Sequence, residues 1–136
     1  MNCVDWTQAS TYCQTQGKRL PTEEEWEWAA RGTTRGWKYP WGNDEPGVRA
    51  CWSGTSKQSA TCAVGASPAS DSPEGIHDLA GNLWEWTASR YEANDTAMVG
   101  RGGGWRGSTA PNLRAANRAK NAPSLRLIIL GFRCAR

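Results

Sequence analysis

The chain contains one His, one Phe and two Met among its 136 residues, no C-x-x-C pair, and no acidic residue after Asp95. Each gap excludes something. A lone His77 cannot build a multi-histidine metal centre, and without C-x-x-C neither a zinc ribbon nor a thioredoxin-like pair has its ligands. No apolar run approaches the roughly 20 residues that a membrane helix needs, so membrane insertion is not expected. The start, "MNCVDWTQAS", lacks the basic-then-apolar pattern of a signal peptide. If the protein is exported, this chain is a mature or excised piece. No motif of a nucleic-acid-binding module occurs.

What is present is distinctive. Nine Trp and 15 Gly suggest a loop-rich fold whose large rings fill the core between irregular segments. Hydrophobic content of 38% and charged content of 21% fit a globular chain, and the length fits one domain spanning 1–136. The net charge of +3 hides an asymmetry. Residues 1–95 carry 8 Lys and Arg against all 13 acids, a balance of −5, whereas residues 96–136 carry 8 Lys and Arg alone. Such a basic third can attract an anionic partner. Its cations are scattered and nearly all Arg, which favours ion pairs and backbone hydrogen bonds inside the fold.

Five Cys stand at positions 3, 13, 51, 62 and 134. Cys51 and Cys62 bracket a short polar loop that a disulfide could close. Cys13, on an expected helix, and Cys134, at the end of the chain, could staple the two ends together. Cys3 is left over. Bonds of this kind would place the protein in an oxidising compartment.

Residues 5–16 read as a first helix, with Asp5 as cap, Gly17 as stop, and Trp6, Ala9, Tyr12 and Cys13 at helical spacing. Residues 22–31 read as a second helix. Thr22 and Glu25 form a capping box there, and Trp26, Ala29 and Ala30 share a core face. Residues 33–75 lose periodicity and gain turn residues. They read as ordered loops, because Trp37, Tyr39, Trp41 and Trp52 need burial. "NLWEWTASRY", "AMVGRGGGW" and "GFRCAR" read as short strands. The expected class is α+β, with two helices, short antiparallel strands and long ordered loops.

The segments "VDWTQASTYCQTQGKRLPTEEEWEWAARG", "YPWGN", "GIHDLAGNLWEWTASRY", "RGGGW" and "GFRCAR" follow one another along the chain. In this order they resemble the formylglycine-generating-enzyme (sulfatase-modifying factor) domain family, a branch of the C-type-lectin-like fold. The long N-terminal part of the usual family domain is missing, so the chain looks like a minimal version. In the enzyme, two cysteines after the RGG motif bind copper and oxidise a substrate cysteine. The matching positions here are Gly107 and Asn112, which can form no thiolate and hold no soft metal. The iron-dependent sulfoxide-synthase branch uses three His, and this chain has only His77, read as a surface or structural imidazole. The resemblance therefore implies no catalysis, no copper and no iron. It does imply a calcium site, with the side chains of Asp78 and Glu85 and the carbonyls of Gly81 and Leu83 as hard oxygen ligands. A second family calcium site has Cys51 at its first ligand position and is expected to be lost.

A non-catalytic branch of the same fold supplies the variable proteins of diversity-generating retroelements. In these a C-terminal segment is rewritten mainly at Asn codons and ends in a framework like "GFRCAR". Here "RGGGW", "NLRAANR" and "GFRCAR" alternate with stretches that obey no structural rule. The resemblance makes residues 106–130 a variable segment whose candidate ligand-binding positions are Arg106, Gly107, Ser108, Ala119, Asn121, Ala122, Ser124, Leu125, Leu127, Ile128 and Ile129. Each of these residue types is reachable from an Asn codon; Lys120 is not. Leu125, Leu127 and Ile128 are expected to be exposed, whereas Ile129 fits a buried strand and an exposed patch equally.

The function so implied is binding of a protein ligand on a cell or virus surface by an extracellular or surface-exposed domain. A cytoplasmic location is the alternative. A fixed accessory domain of the same family is the competing reading. An oxidoreductase of the formylglycine-generating type would need relocated ligands. The Glu-Pro-Asn and Gln-Pro-Asp sugar-binding motifs of true C-type lectins are absent.

Overall fold

A computed structural model describes residues 1–54 and 58–136. Helix α1 spans Trp6–Thr15 and helix α2 spans Glu23–Ala30. Each is one residue shorter at either end than expected, because the outer residues serve as caps. The Asp5 carboxylate accepts the Gln8 N–H at 2.8 Å, and the Gln8 side chain accepts the Asp5 N–H at 3.1 Å. Thr22 and Glu25 exchange the same pair of bonds at 3.2 and 2.9 Å. Both boxes satisfy N–H groups that a helix start leaves without partners.

Four strands form one sheet: β1 (Trp84–Arg90), β2 (Met98–Arg101), β3 (Ala119–Asn121) and β4 (Leu130–Phe132), in the order β3-β2-β1-β4. β2 is antiparallel to both β1 and β3. The pairing of β1 with β4 is parallel, so the sheet is mixed and departs from the expected antiparallel set. The long excursion from Tyr91 to Ile129 gives the chain room to return in the same direction. β3 falls within a stretch where no strand is expected. Its three residues carry no hydrophobic alternation, and β2 supplies its ladder.

Alternation along β1 and β2 divides the sheet into two faces. Trp86 and Met98 meet Ala9, Cys13, Leu20 and Leu130 in a core beneath α1. The opposite face carries polar groups toward α2. There the Trp26 indole donates to Glu85 at 2.7 Å, and Arg101, 2% exposed, pairs with Glu23 and Glu27 at 2.9 Å each. The loop region builds a further core from Tyr39, Ala50, Trp52, Ala80 and Leu113. Trp41 stacks on Tyr39 with centroids 5.1 Å apart, and Trp37 lies under the Arg35 guanidinium. The aromatic side chains of the loops are thus its packing material, as expected.

Cys13 is bonded to Cys134 and Cys51 to Cys62, and Cys3 is free and exposed. Among the described residues no helix is long and apolar enough to cross a membrane.

Candidate functional site

After Arg101 the chain leaves the sheet and packs Gly102, Gly103, Gly104 and Trp105 against the domain, all buried. Gly104 sits close against the turn, since a Cβ there would lie 3.2 Å from both Trp84 and Ile129 and would make them give by a few tenths of an ångström. The Trp105 indole donates to the Ile128 carbonyl at 3.3 Å. The 104–108 turn and the 127–129 turn therefore lie side by side.

The eleven candidate positions separate on this frame. Arg106, Gly107, Ala122, Ser124, Leu127 and Ile128 are exposed. Leu127 is 39% and Ile128 50% exposed. Ala119, Asn121, Leu125 and Ile129 are half-buried. Two readings need correction. Ser108 is buried and its Oγ accepts the Gly104 N–H at 2.9 Å, so it braces the turn instead of facing a ligand. Leu125 packs against the core beneath α1 and is not displayed as expected. Gly107 faces open space but has φ of +71°, which strains most other residues. Lys120, the residue that no Asn codon reaches, pairs with Asp95 at 2.6 Å and lies over the Tyr91 ring.

Ala119, Asn121, Leu127 and Ile129 meet Trp84 and Leu130 around a cleft of about 180 Å³. The walls are almost wholly apolar. The exception is Asn121, whose Nδ2 is buried and has no hydrogen-bond partner among the described residues. Trp84 is the contributor that sequence reasoning missed: it reads as framework in "NLWEWTASRY". Its place on the same sheet face as Ala119 depends on a strand pairing invisible in the sequence.

The 127–129 turn is fixed through its main chain. Cys3 N–H donates to Leu127 O at 3.1 Å, Asn2 Nδ2 to Ile128 O at 2.8 Å, and Trp84 N–H to Ile129 O at 2.8 Å. Asn112, at one of the two thiol positions of the resembled enzyme, is a capping residue. Its Oδ1 accepts from the Thr109 N–H and hydroxyl, both at 2.8 Å.

The Asp78–Glu85 segment makes a tight turn. Gly81 has φ of +84°, and a Cβ there would strike the Cys51 carbonyl. Asp78 and Asn82 also take left-handed backbone, which Asp and Asn adopt at lower cost than other side chains. Asp78 spends Oδ2 on the Gly65 N–H at 3.0 Å. Glu85 Oε2 accepts from Trp26 and from Arg133 Nε, and Oε1 accepts only from Arg133 Nη2 at 2.7 Å. Asp78, Leu83, Glu85 and Arg133 line a cavity of about 500 Å³. Among the described residues no three His, Cys, Asp or Glu side chains converge. The second Asp78 oxygen and the Gly81 and Leu83 carbonyls take no hydrogen bond from the described residues, and oxygens of these kinds are the donors that a hard cation prefers. His77 is exposed, with Nδ1 2.9 Å from Asp71. Cys51 is spent in its disulfide and offers no ligand to a second ion.

A two-helix, mixed-sheet domain with an RGG turn lacking both thiols falls within one known group. The chain belongs to the sulfatase-modifying factor enzyme 1-like domain family, which it matches over residues 1–136. It is 44% identical over 145 residues to the inactive C-alpha-formylglycine-generating enzyme 2 of Bos taurus, covering 97% of this chain and 48% of that protein. It is 33% identical over 162 residues to the formylglycine-generating enzyme of Thermomonospora curvata, covering 97% of this chain and 54% of that protein. The chain thus spans about half the length of these curated relatives. Among solved structures it resembles variable protein 1 of Treponema denticola, with a TM-score of 0.70 and 32% identity over 85% of this chain and 46% of that one.

Proposed function

We propose that this chain is a non-catalytic domain that binds a protein ligand through the face formed by the 104–108 and 127–129 turns and β3, as a retroelement-diversified variable protein would. The observation that carries the reading is the cleft. Four of the positions expected to vary surround it, and two more, Arg106 and Ile128, are exposed on the two turns that lie side by side there. An apolar patch rimmed by polar groups is the usual signature of a protein-binding surface. The similarity to a variable protein and to relatives named inactive supports the same reading. So do Gly107 and Asn112, since neither can perform the thiol chemistry of the active relatives.

The two disulfides suit an oxidising, extracellular or surface setting. Calcium belongs to this proposal as a scaffold ion. Asp78, Glu85 and the carbonyls of Gly81 and Leu83 would hold it. The neighbouring Arg133 charge would keep its affinity in the weak range of extracellular modules, about 10⁻⁴–10⁻³ M.

The test is comparison of the 3′ end of this gene among many copies in one population. Differences should fall at the codons for residues 106, 107, 119, 121, 122, 124 and 127–129, at sites that are Asn codons in a template copy. Ser108 and Lys120 should stay constant. Identical copies throughout would remove diversification and leave a fixed accessory domain.

A further inference from the structure

The cleft and its rim are chemically lopsided, and the imbalance points to the partner. The inference rests on the binding-face reading above and extends it to the ligand's chemistry. Residues 96–136 contain no acid. The carboxylates that approach this third of the chain from elsewhere are engaged: Asp5 by Arg126, Asp95 by Lys120, Glu23 by Arg101 and Arg118, and Glu85 by Arg133. Arg106, on the turn that runs beside the 127–129 turn, has no carboxylate partner among the described residues. It is exposed and follows Trp105, whose indole holds the main chain of Ile128. An exposed arginine with no carboxylate partner among the described residues thus belongs to the turn that lies alongside the one carrying Leu127 and Ile128.

The slot is small. At about 180 Å³ it has room for one side chain, not for a helix face, and its mostly apolar walls offer little to the hydroxyls of a sugar. Trp84 and Leu130 give it apolar walls, which reject a charged group. Asn121 adds a polar side chain to the wall, but its amide nitrogen is closed off from solvent and offers nothing to an entering segment.

We propose that the partner is a protein segment that places one aliphatic side chain in this cleft and an acidic side chain, a few residues away, against Arg106. The apolar anchor supplies affinity, because it leaves water entirely. The exposed ion pair supplies orientation and speed of encounter more than strength.

The experiment selects short random linear peptides, displayed on phage, against the intact oxidised chain. The recovered peptides are then assayed for binding to the Leu127→Ser and Arg106→Ala variants. Both positions are exposed, so both variants should fold. The recovered sequences should pair Leu, Ile or Val with a nearby Asp or Glu. Leu127→Ser should weaken them roughly tenfold or more, which corresponds to a hot-spot loss above 1 kcal/mol. Arg106→Ala should weaken them a few-fold and abolish their sensitivity to salt, and Arg106→Lys should restore that sensitivity. Peptides that carry no acid and ignore Arg106→Ala, yet lose binding with Leu127→Ser, would overturn this ligand chemistry and leave the binding face standing. Peptides indifferent to both variants would overturn the ligand chemistry and the face together. Recovery of no peptide would overturn the ligand chemistry alone, since a short segment is all the cleft requires.

Discussion

Arg101 opens the "RGGGW" segment, and its guanidinium works inward. It pairs with Glu23 and Glu27 of α2 and donates to the carbonyls of Ala115 and Asn117 at 3.0 and 3.2 Å. A buried charge of this kind is stable only while its partners remain, and removing one partner costs about 3–5 kcal/mol. Arg101→Ala should therefore lower the free energy of unfolding by about that amount in denaturant titrations, whereas Arg106→Ala should leave it within about 0.5 kcal/mol. Equal effects would mean that the two arginines have the same task. The sequence allowed two readings of the basic C-terminal third, an anionic partner or internal pairing. Internal pairing accounts for most of it, because five of its eight cations have carboxylate partners. Only a structure could separate Arg101 from Arg106, since both are Arg beside glycines. The burial of Ser108 escaped the sequence reading for a related reason: its acceptor role depends on a turn closing back on Gly104.

Among the elements, those defined by local chemistry were legible. The two helices announce themselves through caps and spacing that lie within a few residues of one another. β3 and the parallel partnership of β4 were not legible, because each takes its definition from a strand more than ten residues away. The expected place of Leu125 failed in the same way: its exposure was read from a neighbouring apolar run, and the core beneath α1 claims it. The turn from Asp78 to Glu85 belongs to this scale too. If it holds calcium, millimolar CaCl₂ should raise the thermal midpoint by several degrees and a chelator should reverse the rise. Asp78→Asn keeps an oxygen for the Gly65 N–H and tolerates the left-handed backbone, so it should fold yet lose the response. An unchanged midpoint with CaCl₂ would leave Arg133 as the sole counter-charge of Glu85.

For the molecule as a whole, the Cys13–Cys134 bond encloses nearly all of this chain, joining positions 121 apart in sequence, against 11 for Cys51–Cys62. A cross-link restricts the unfolded chain more when its loop is longer. Replacing Cys13 and Cys134 by Ser should cost about 2–4 kcal/mol, and replacing Cys51 and Cys62 by Ser should cost less, as read from unfolding midpoints under oxidising conditions. The reverse order would show that strain or residual structure dominates over chain entropy. The overall α+β organisation was visible in the sequence, and so were the two cysteine pairs, because Cys51 and Cys62 bracket one short loop and Cys13 and Cys134 lie near the two ends. The cleft was not, since it forms where three distant segments meet. One feature of that meeting reaches beyond stability. Every bond that ties down the 127–129 turn ends on a carbonyl of the main chain, and none on its side chains. The alphabet at exposed Leu127 and Ile128 is consequently less tied to the grammar of the fold than that at half-buried Ile129. If the segment is diversified as proposed, a lineage could try many letters at Leu127 and Ile128, each judged by what it grips, because the hydrogen bonds that hold the turn do not depend on them.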